Sequence, residues 1–234
     1  MSDLHDIVYI LKADVKPDEL RYSLRSVCEN FTFRDVWFYG GCPDGIVPDH
    51  HVPFQQHGSS KWERSTSTLQ AICANDDVTP AFYLFNDDFF VLRPYAQDDA
   101  VVNGTIAEHA DAIAHRHGGV SSYVRLLRAQ AAWLRRNGYP TMNYATHTPL
   151  RVERDRALEV MGTASAALLF RNVYGNMAGA PYVLADDVKI AEQDMQAVPP
   201  DLAALCSTSD RSFRDGAVGR WIHARFPEPC RYEL

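Results

Sequence analysis

Phe82-Tyr83-Leu84-Phe85-Asn86-Asp87-Asp88-Phe89-Phe90 is an apolar run that meets two adjacent carboxylates and at once turns apolar again. A short run of this composition, bounded by turn residues, reads as a strand buried on both faces, as in a parallel sheet covered by helices. In such sheets ligands collect beyond the carboxyl ends of the strands, where Asp87 and Asp88 fall. Neighbouring like charges at a partly desolvated edge repel unless a cation is shared or one acid is protonated, and a divalent metal is the usual resolution. The pair reads as a metal- and phosphate-handling edge, with a solvated turn as the plain alternative.

The residues upstream support a parallel sheet. Ile7-Val8-Tyr9-Ile10-Leu11 predicts a buried first strand. Pro17 and Asp18 then open a helix with Leu20, Leu24, Val27 and Phe31 at helical spacing, and Arg21 and Arg25 share its exposed face. Val36-Trp37-Phe38-Tyr39 is a second strand, broken by Gly40-Gly41-Cys42-Pro43, so strand, helix and strand form a crossover unit. Val52-Pro53-Phe54-Gln55 reads as a third strand at an edge. Ser59-Ser60, with Glu63 placed for a capping interaction, cap a helix from about Lys61 to Ala74, and the acidic strand follows. The expected fold is α/β: a mixed, mostly parallel, nucleotide-binding sheet flanked by helices. Residues 1–234 are expected as one domain, with 1–95 binding the nucleotide and 96–234 completing the fold and holding an acceptor.

Bulk properties narrow the function classes. The 234 residues carry a net charge of -7, yet nine arginines between His115 and Arg171 face only Glu153, Asp155 and Glu159. An arginine-rich middle in an acidic chain points to a local site for a polyanion; a solvated helix face is the plain alternative. Five scattered cysteines form no metal-binding pair and suggest free thiols. The N-terminus lacks the pattern of a signal peptide and no apolar run reaches the length of a membrane span. A cytoplasmic protein without membrane contact or obligate protein partner is expected.

Downstream, Ser121 or Ser122 caps a helix to Asn137 in which Arg125, Arg128 and Arg135 line one face. Tyr144 to Pro149 reads as a strand end that presents His147 to a cleft. Helices are expected over Arg154–Met161 and Ala164–Tyr174, and a strand over Tyr182–Leu184. That strand ends at Asp186-Asp187, a rival metal pair ranked lower because Val188-Lys189-Ile190 looks like a hairpin return. Ser207-Thr208-Ser209-Asp210-Arg211-Ser212-Phe213 precedes a final helix, Val218–Phe226, and reads as caps or as a lid over a pyrophosphate.

Glu19-Leu20-Arg21-Tyr22-Ser23-Leu24-Arg25-Ser26-Val27 and Phe85-Asn86-Asp87-Asp88-Phe89-Phe90, at this separation, resemble the first two blocks of the Stealth family of capsular sugar-phosphate transferases. His147-Thr148-Pro149 resembles the third block. The architecture is similar to that of nucleotide-sugar glycosyltransferases of the GT-A fold, in which an acidic motif binds Mn2+ or Mg2+ on the donor's pyrophosphate. The resemblance implies Asp88 as direct metal ligand, with Asn86 and Asp87 holding ribose or metal-bound water, while His147, where the sheet would present it to the cleft, reads as a further metal ligand beside Asp88 and Asp87 or as a phosphate contact. Lys12, Arg21, Arg25 and Arg211 are the cations expected on the donor, a UDP-sugar in many such enzymes. The Stealth Trp-Val-Asp-Gly segment is replaced by Leu11-Lys12-Ala13-Asp14, which favours glycosyl transfer over sugar-phosphate transfer. The segment from Ser207 to Phe213, followed by Phe226-Pro227-Glu228-Pro229, is similar to the ends of small phage-encoded glycosyltransferases, some of which glycosylate 5-hydroxymethylcytosine in DNA. For an inverting transfer, Asp210, Asp215 and Asp187 are the candidate bases. A non-catalytic nucleotide- or nucleic-acid-binding module is the rival from another class.

Overall fold

The computed structural model describes residues 4–96, 98–164 and 169–234. In chain order the elements are β1 (Asp6–Leu11), α1 (Pro17–Asn30), β2 (Val36–Gly40), β3 (His50–Val52), α2 (Lys61–Cys73), β4 (Ala81–Phe85), β5 (Phe89–Val91), β6 (Ala100–Val102), α3 (Ile106–Arg116) and α4 (Ser122–Arg136). There follow β7 (Leu150–Glu153), α5 (Arg154–Thr163), α6 (Phe170–Ala178), β8 (Tyr182–Leu184), β9 (Lys189–Ile190), β10 (Leu205–Thr208), α7 (Asp210–Asp215) and α8 (Ala217–Arg225).

The central sheet has the order β3-β2-β1-β4-β7, parallel except for β7, which runs antiparallel to β4. This is the mixed, mostly parallel sheet that the apolar runs predict. Alternation splits each central strand between two cores. Ile7, Tyr9, Phe38 and Phe85 pack toward Leu20, Leu24 and Val27 of α1. Val8, Trp37, Phe82 and Leu84 face the other way, toward Leu69, Leu127, Val160 and Val173 of α2, α4, α5 and α6. Both faces are thereby covered, which is why β4 contains no polar residue.

A second sheet, β5-β10-β9, takes over where β4 ends. Its edge strand β5 lies against α1, whose buried polar side chains satisfy the strand's free backbone groups. Ser23 Oγ donates to the Phe89 carbonyl at 2.6 Å, Ser26 Oγ accepts from Val91 N–H at 2.9 Å, and Asn30 Nδ2 donates to the Val91 carbonyl at 2.9 Å. One face of α1 is thus apolar for the central sheet and the next is small and polar for β5. Strands β6 and β8 form a third, two-stranded parallel sheet.

Several boundaries differ from the sequence-based expectation. The third strand lies earlier, at His50–Val52, because Pro53 cannot donate to the ladder. Tyr144–Pro149 is irregular, and the strand follows it as β7. α6 runs to Ala178 and closes on Gly179 at φ 64° rather than on Gly175 and Asn176; residues 165–168 of the expected helix lie outside the described residues. Tyr182–Leu184 and Lys189–Ile190 are not a hairpin, since β8 pairs with β6 and β9 with β10. The five cysteines are free thiols. Among the described residues no helix is long and apolar enough to cross a membrane.

Candidate active-site cleft

The cleft is built where β4 hands the chain from the first sheet to the second. Asn86, Asp87 and Asp88 form the turn, closed by a 3.3 Å bond from Phe89 N–H to the Asn86 carbonyl. Pairing then fixes the neighbours of Asp88. In the antiparallel β5–β10 ladder Phe89 stands opposite Ser207, and in the parallel β10–β9 ladder Ser207 stands beside Lys189. Both side chains consequently meet one oxygen: Lys189 Nζ lies 2.9 Å from Asp88 Oδ2 and Ser207 Oγ donates to it at 3.0 Å. Thr208, one residue on, donates its hydroxyl to Glu19 Oε1 at 3.0 Å.

Glu19, Asp87, Asp88 and Asp210 share this end of the sheet, and Glu19 and Asp87 are both pushed toward protonation. Burial pushes the Glu19 carboxyl up to about 8, against the Thr208 hydrogen bond, and Asp88, Asp87 and Asp210 push it further. Burial and the charge of Asp88 push Asp87 up to about 6, with Lys12 acting against them. At neutral pH Glu19 is therefore mostly a neutral acid that can donate a hydrogen bond. Lys61 is pulled down by burial and by the like charges of Lys12 and Lys189, so three lysines converge on the same end. Lys61 Nζ also sits 3.9 Å from the Trp62 ring centroid.

A second constellation faces the first. His147 Nδ1 lies 2.7 Å from Asp187 Oδ2, and the His147 backbone N–H donates to Asp187 Oδ1 at 3.1 Å. Burial pushes Asp187 up, but the hydrogen bonds and charge of His147 outweigh it and hold the carboxyl below its ordinary range. A carboxylate on Nδ1 selects the tautomer that leaves Nε2 free to accept a proton. His109 of α3 and Tyr123 of α4 are near enough to feel the charge of the same carboxylate. Between the two constellations lies Arg171 of α6, which donates to the Thr148 carbonyl at 2.6 Å and the Leu84 carbonyl at 3.2 Å. Its guanidinium stands over the Phe89 ring, is lowered to about 10 by burial, and is drawn upward by both Asp88 and Asp187. It remains a fixed positive charge common to both halves of the cleft.

The expected site residues divide into those brought together and those turned elsewhere. Lys12, Asp87, Asp88 and Asp210 share the cleft. Asn86 is exposed at its rim. Arg21 and Arg25 do not face it: both pair with Glu233, and Arg25 makes bonds of 2.7 Å to each Glu233 oxygen and 2.9 Å to the Phe226 and Pro227 carbonyls. Arg21 and Arg25 tie the C-terminal tail to α1. Arg211 is exposed and 3.9 Å from Glu192, and Asp215 pairs with Arg214 at the surface. His147 is held by Asp187 rather than joined to Asp88, which makes Asp187 part of the cleft and not a rival to it.

Among the described residues no three His, Cys, Asp or Glu side chains converge to hold a metal. The expected trio of Asp87, Asp88 and His147 is not assembled. Two adjacent carboxylates, of which Asp87 is pushed up by burial and by the charge of Asp88, nonetheless suit an ion such as Mg2+, which is held by one or two carboxylates while substrate phosphates and water complete its shell. Glu19, Lys61 and Lys189 were not legible as site residues, whereas Ser207 and Thr208 fell in the stretch expected as caps or a lid and stand instead in strand β10, with Ser209 capping α7. Glu19 lies within the motif of α1, but Lys189 and Ser207 reach Asp88 only through strand register. Neither a family model nor a curated protein matches the chain.

Proposed function

We propose that the cleft transfers a sugar from a nucleotide-sugar donor to an acceptor hydroxyl, in the manner of GT-A glycosyltransferases. The observation that supports this most is the opposition of an acid and lysine cluster at Asp87 and Asp88 to the His147–Asp187 pair across Arg171. Lys12, Lys61 and Lys189 would receive the donor's diphosphate, and neutral Glu19 would donate to one of its oxygens. A divalent ion on Asp87 and Asp88 would stabilise the charge that develops on the leaving diphosphate. As the bond from the anomeric carbon to the diphosphate oxygen breaks, its electron pair leaves with the diphosphate. The acceptor oxygen forms the new bond and its proton passes to His147 Nε2, while Asp187 stabilises the resulting imidazolium. Asp187, among the candidate bases, thus acts through His147. Asp210 remains on the donor side, and Asp215 has no role.

The acceptor that fits the arginine-rich middle is a hydroxymethylated pyrimidine of DNA, 5-hydroxymethylcytosine above all. An enzyme of this kind encoded by a phage would work in the host cytoplasm. The lysine cluster also suits a second reaction, Stealth-like transfer of a sugar phosphate to a polysaccharide, in which cations surround the transferring phosphoryl group. The test is product release from a panel of nucleotide sugars with Mn2+, with and without hydroxymethylated DNA. Nucleoside diphosphate release stimulated by that DNA is expected. Monophosphate release would establish sugar-phosphate transfer instead, and no donor consumption under any condition would leave only a binding module.

A further inference from the structure

From Ala112 to Val152 the chain contains six arginines, no lysine and no acid, within a protein of net charge -7. The structure places five of these six arginines on the end of α3 and on α4, which pack against each other. On α4, Val124, Leu127, Gln130, Ala131 and Leu134 are buried, so helical geometry turns Arg125, Arg128, Arg135 and Arg136 to solvent. Arg128 is ion-paired to Asp111 at 2.8 Å, whereas Arg125, Arg135 and Arg136 have no carboxylate partner among the described residues. The near end of this face adjoins the cleft, because the Tyr123 ring of α4 packs 5.6 Å from the Trp62 ring, which carries Lys61 Nζ at 3.9 Å.

We infer that the exposed face of α4 is the docking surface for the acceptor strand, and that its partner is a nucleic acid held by its phosphates. This rests on the transfer reading above. From Tyr123 to Arg136 the helix spans about 20 Å, about six phosphates of one strand at the 3.4 Å rise of B-DNA. Exclusive use of arginine, whose planar fork binds phosphate oxygens in pairs, fits phosphodiesters better than a merely solubilising surface, where lysine serves equally. A strand docked here runs along α4 toward Tyr123, and a base extruded from it enters beside His147.

The test is the triple variant Arg125→Gln/Arg135→Gln/Arg136→Gln, which changes only exposed side chains. Binding of wild type and variant to a hydroxymethylated oligonucleotide is measured against salt, alongside hydrolysis of the nucleotide-sugar in the absence of acceptor. Loss of three phosphate contacts should reduce the slope of log K against log salt by about 2 to 3 and weaken binding roughly 50- to 150-fold at 0.15 M salt. Donor hydrolysis should be unchanged. Equal affinity and equal slope in the two proteins would overturn the inference, as would tighter wild-type binding to a sulfated polysaccharide than to the oligonucleotide. Salt-sensitive, variant-sensitive DNA binding in a protein that consumes no donor would support the docking face and refute the transfer reading, which separates the two failures.

Discussion

Glu19→Gln isolates the electrostatic stress of the cleft. In the wild type the Glu19 carboxyl stands at about 8 instead of 4.5, burial being the main cause and the neighbouring acids the next. Between those values the folded protein keeps a proton that the unfolded chain has released. Folding stability therefore falls as pH rises through this window, and the full cost is present above pH 8. A displacement of about 3.5 pH units corresponds to a ceiling of about 5 kcal/mol. Asp87, held up to about 6, shares the same repulsion, so the acids titrate together and about 2 to 3 kcal/mol is expected from Glu19 alone. Glutamine keeps the shape and the acceptor for the Thr208 hydroxyl but cannot ionise. In chelator-treated protein, urea unfolding of wild type and variant should coincide near pH 4.5 and diverge to pH 8.5, where the variant's midpoint lies higher by about 1 M. Parallel curves for the two proteins, or a wild-type midpoint that rises across the window, would refute the reasoning.

Lys189→Met removes the only cation in contact with Asp88 among the described residues and leaves that carboxylate partly buried beside Asp87; a loss of about 1 to 3 kcal/mol in urea unfolding is expected, and an unchanged midpoint would count against the pair. Asp187→Asn should lower kcat at least 100-fold with little change in donor KM, because the imidazole loses its orienting carboxylate; equal effects on both constants would point to donor binding instead. Gly219→Ala should destabilise by about 3 kcal/mol or more, since a Cβ there would lie 1.6 Å from the Phe213 carbonyl oxygen where α8 crosses α7; thermal unfolding at the wild-type temperature would refute it.

What is local in the chain was legible without coordinates. The buried strands β1, β2 and β4 declare themselves by continuous apolar residues, and α2 by the Ser60 and Glu63 capping box, which is present in full. The turn Asn86-Asp87-Asp88 at the end of β4 is legible for the same reason. α3 carries an equally local signal, the Thr105 and Glu108 box, but its alanine-rich stripe, with only Ile106 and Ala110 buried, hides it from a search for apolar spacing. The remainder depends on contacts between residues far apart in sequence. Arg21 and Arg25 look like phosphate ligands until the C-terminal Glu233 is seen to claim them. Lys189 looks like part of a hairpin return and Ser207 like part of a cap or lid until two ladders place them on one oxygen of Asp88, more than 100 residues upstream. Asp187 meets His147 only because β8 and β9 belong to different sheets and the link between them crosses His147. Periodicity and capping are encoded within a few residues and determine which segments become strands and helices. Register and the partner of each charge arise from packing those segments together, and the chemistry of the cleft was decided there.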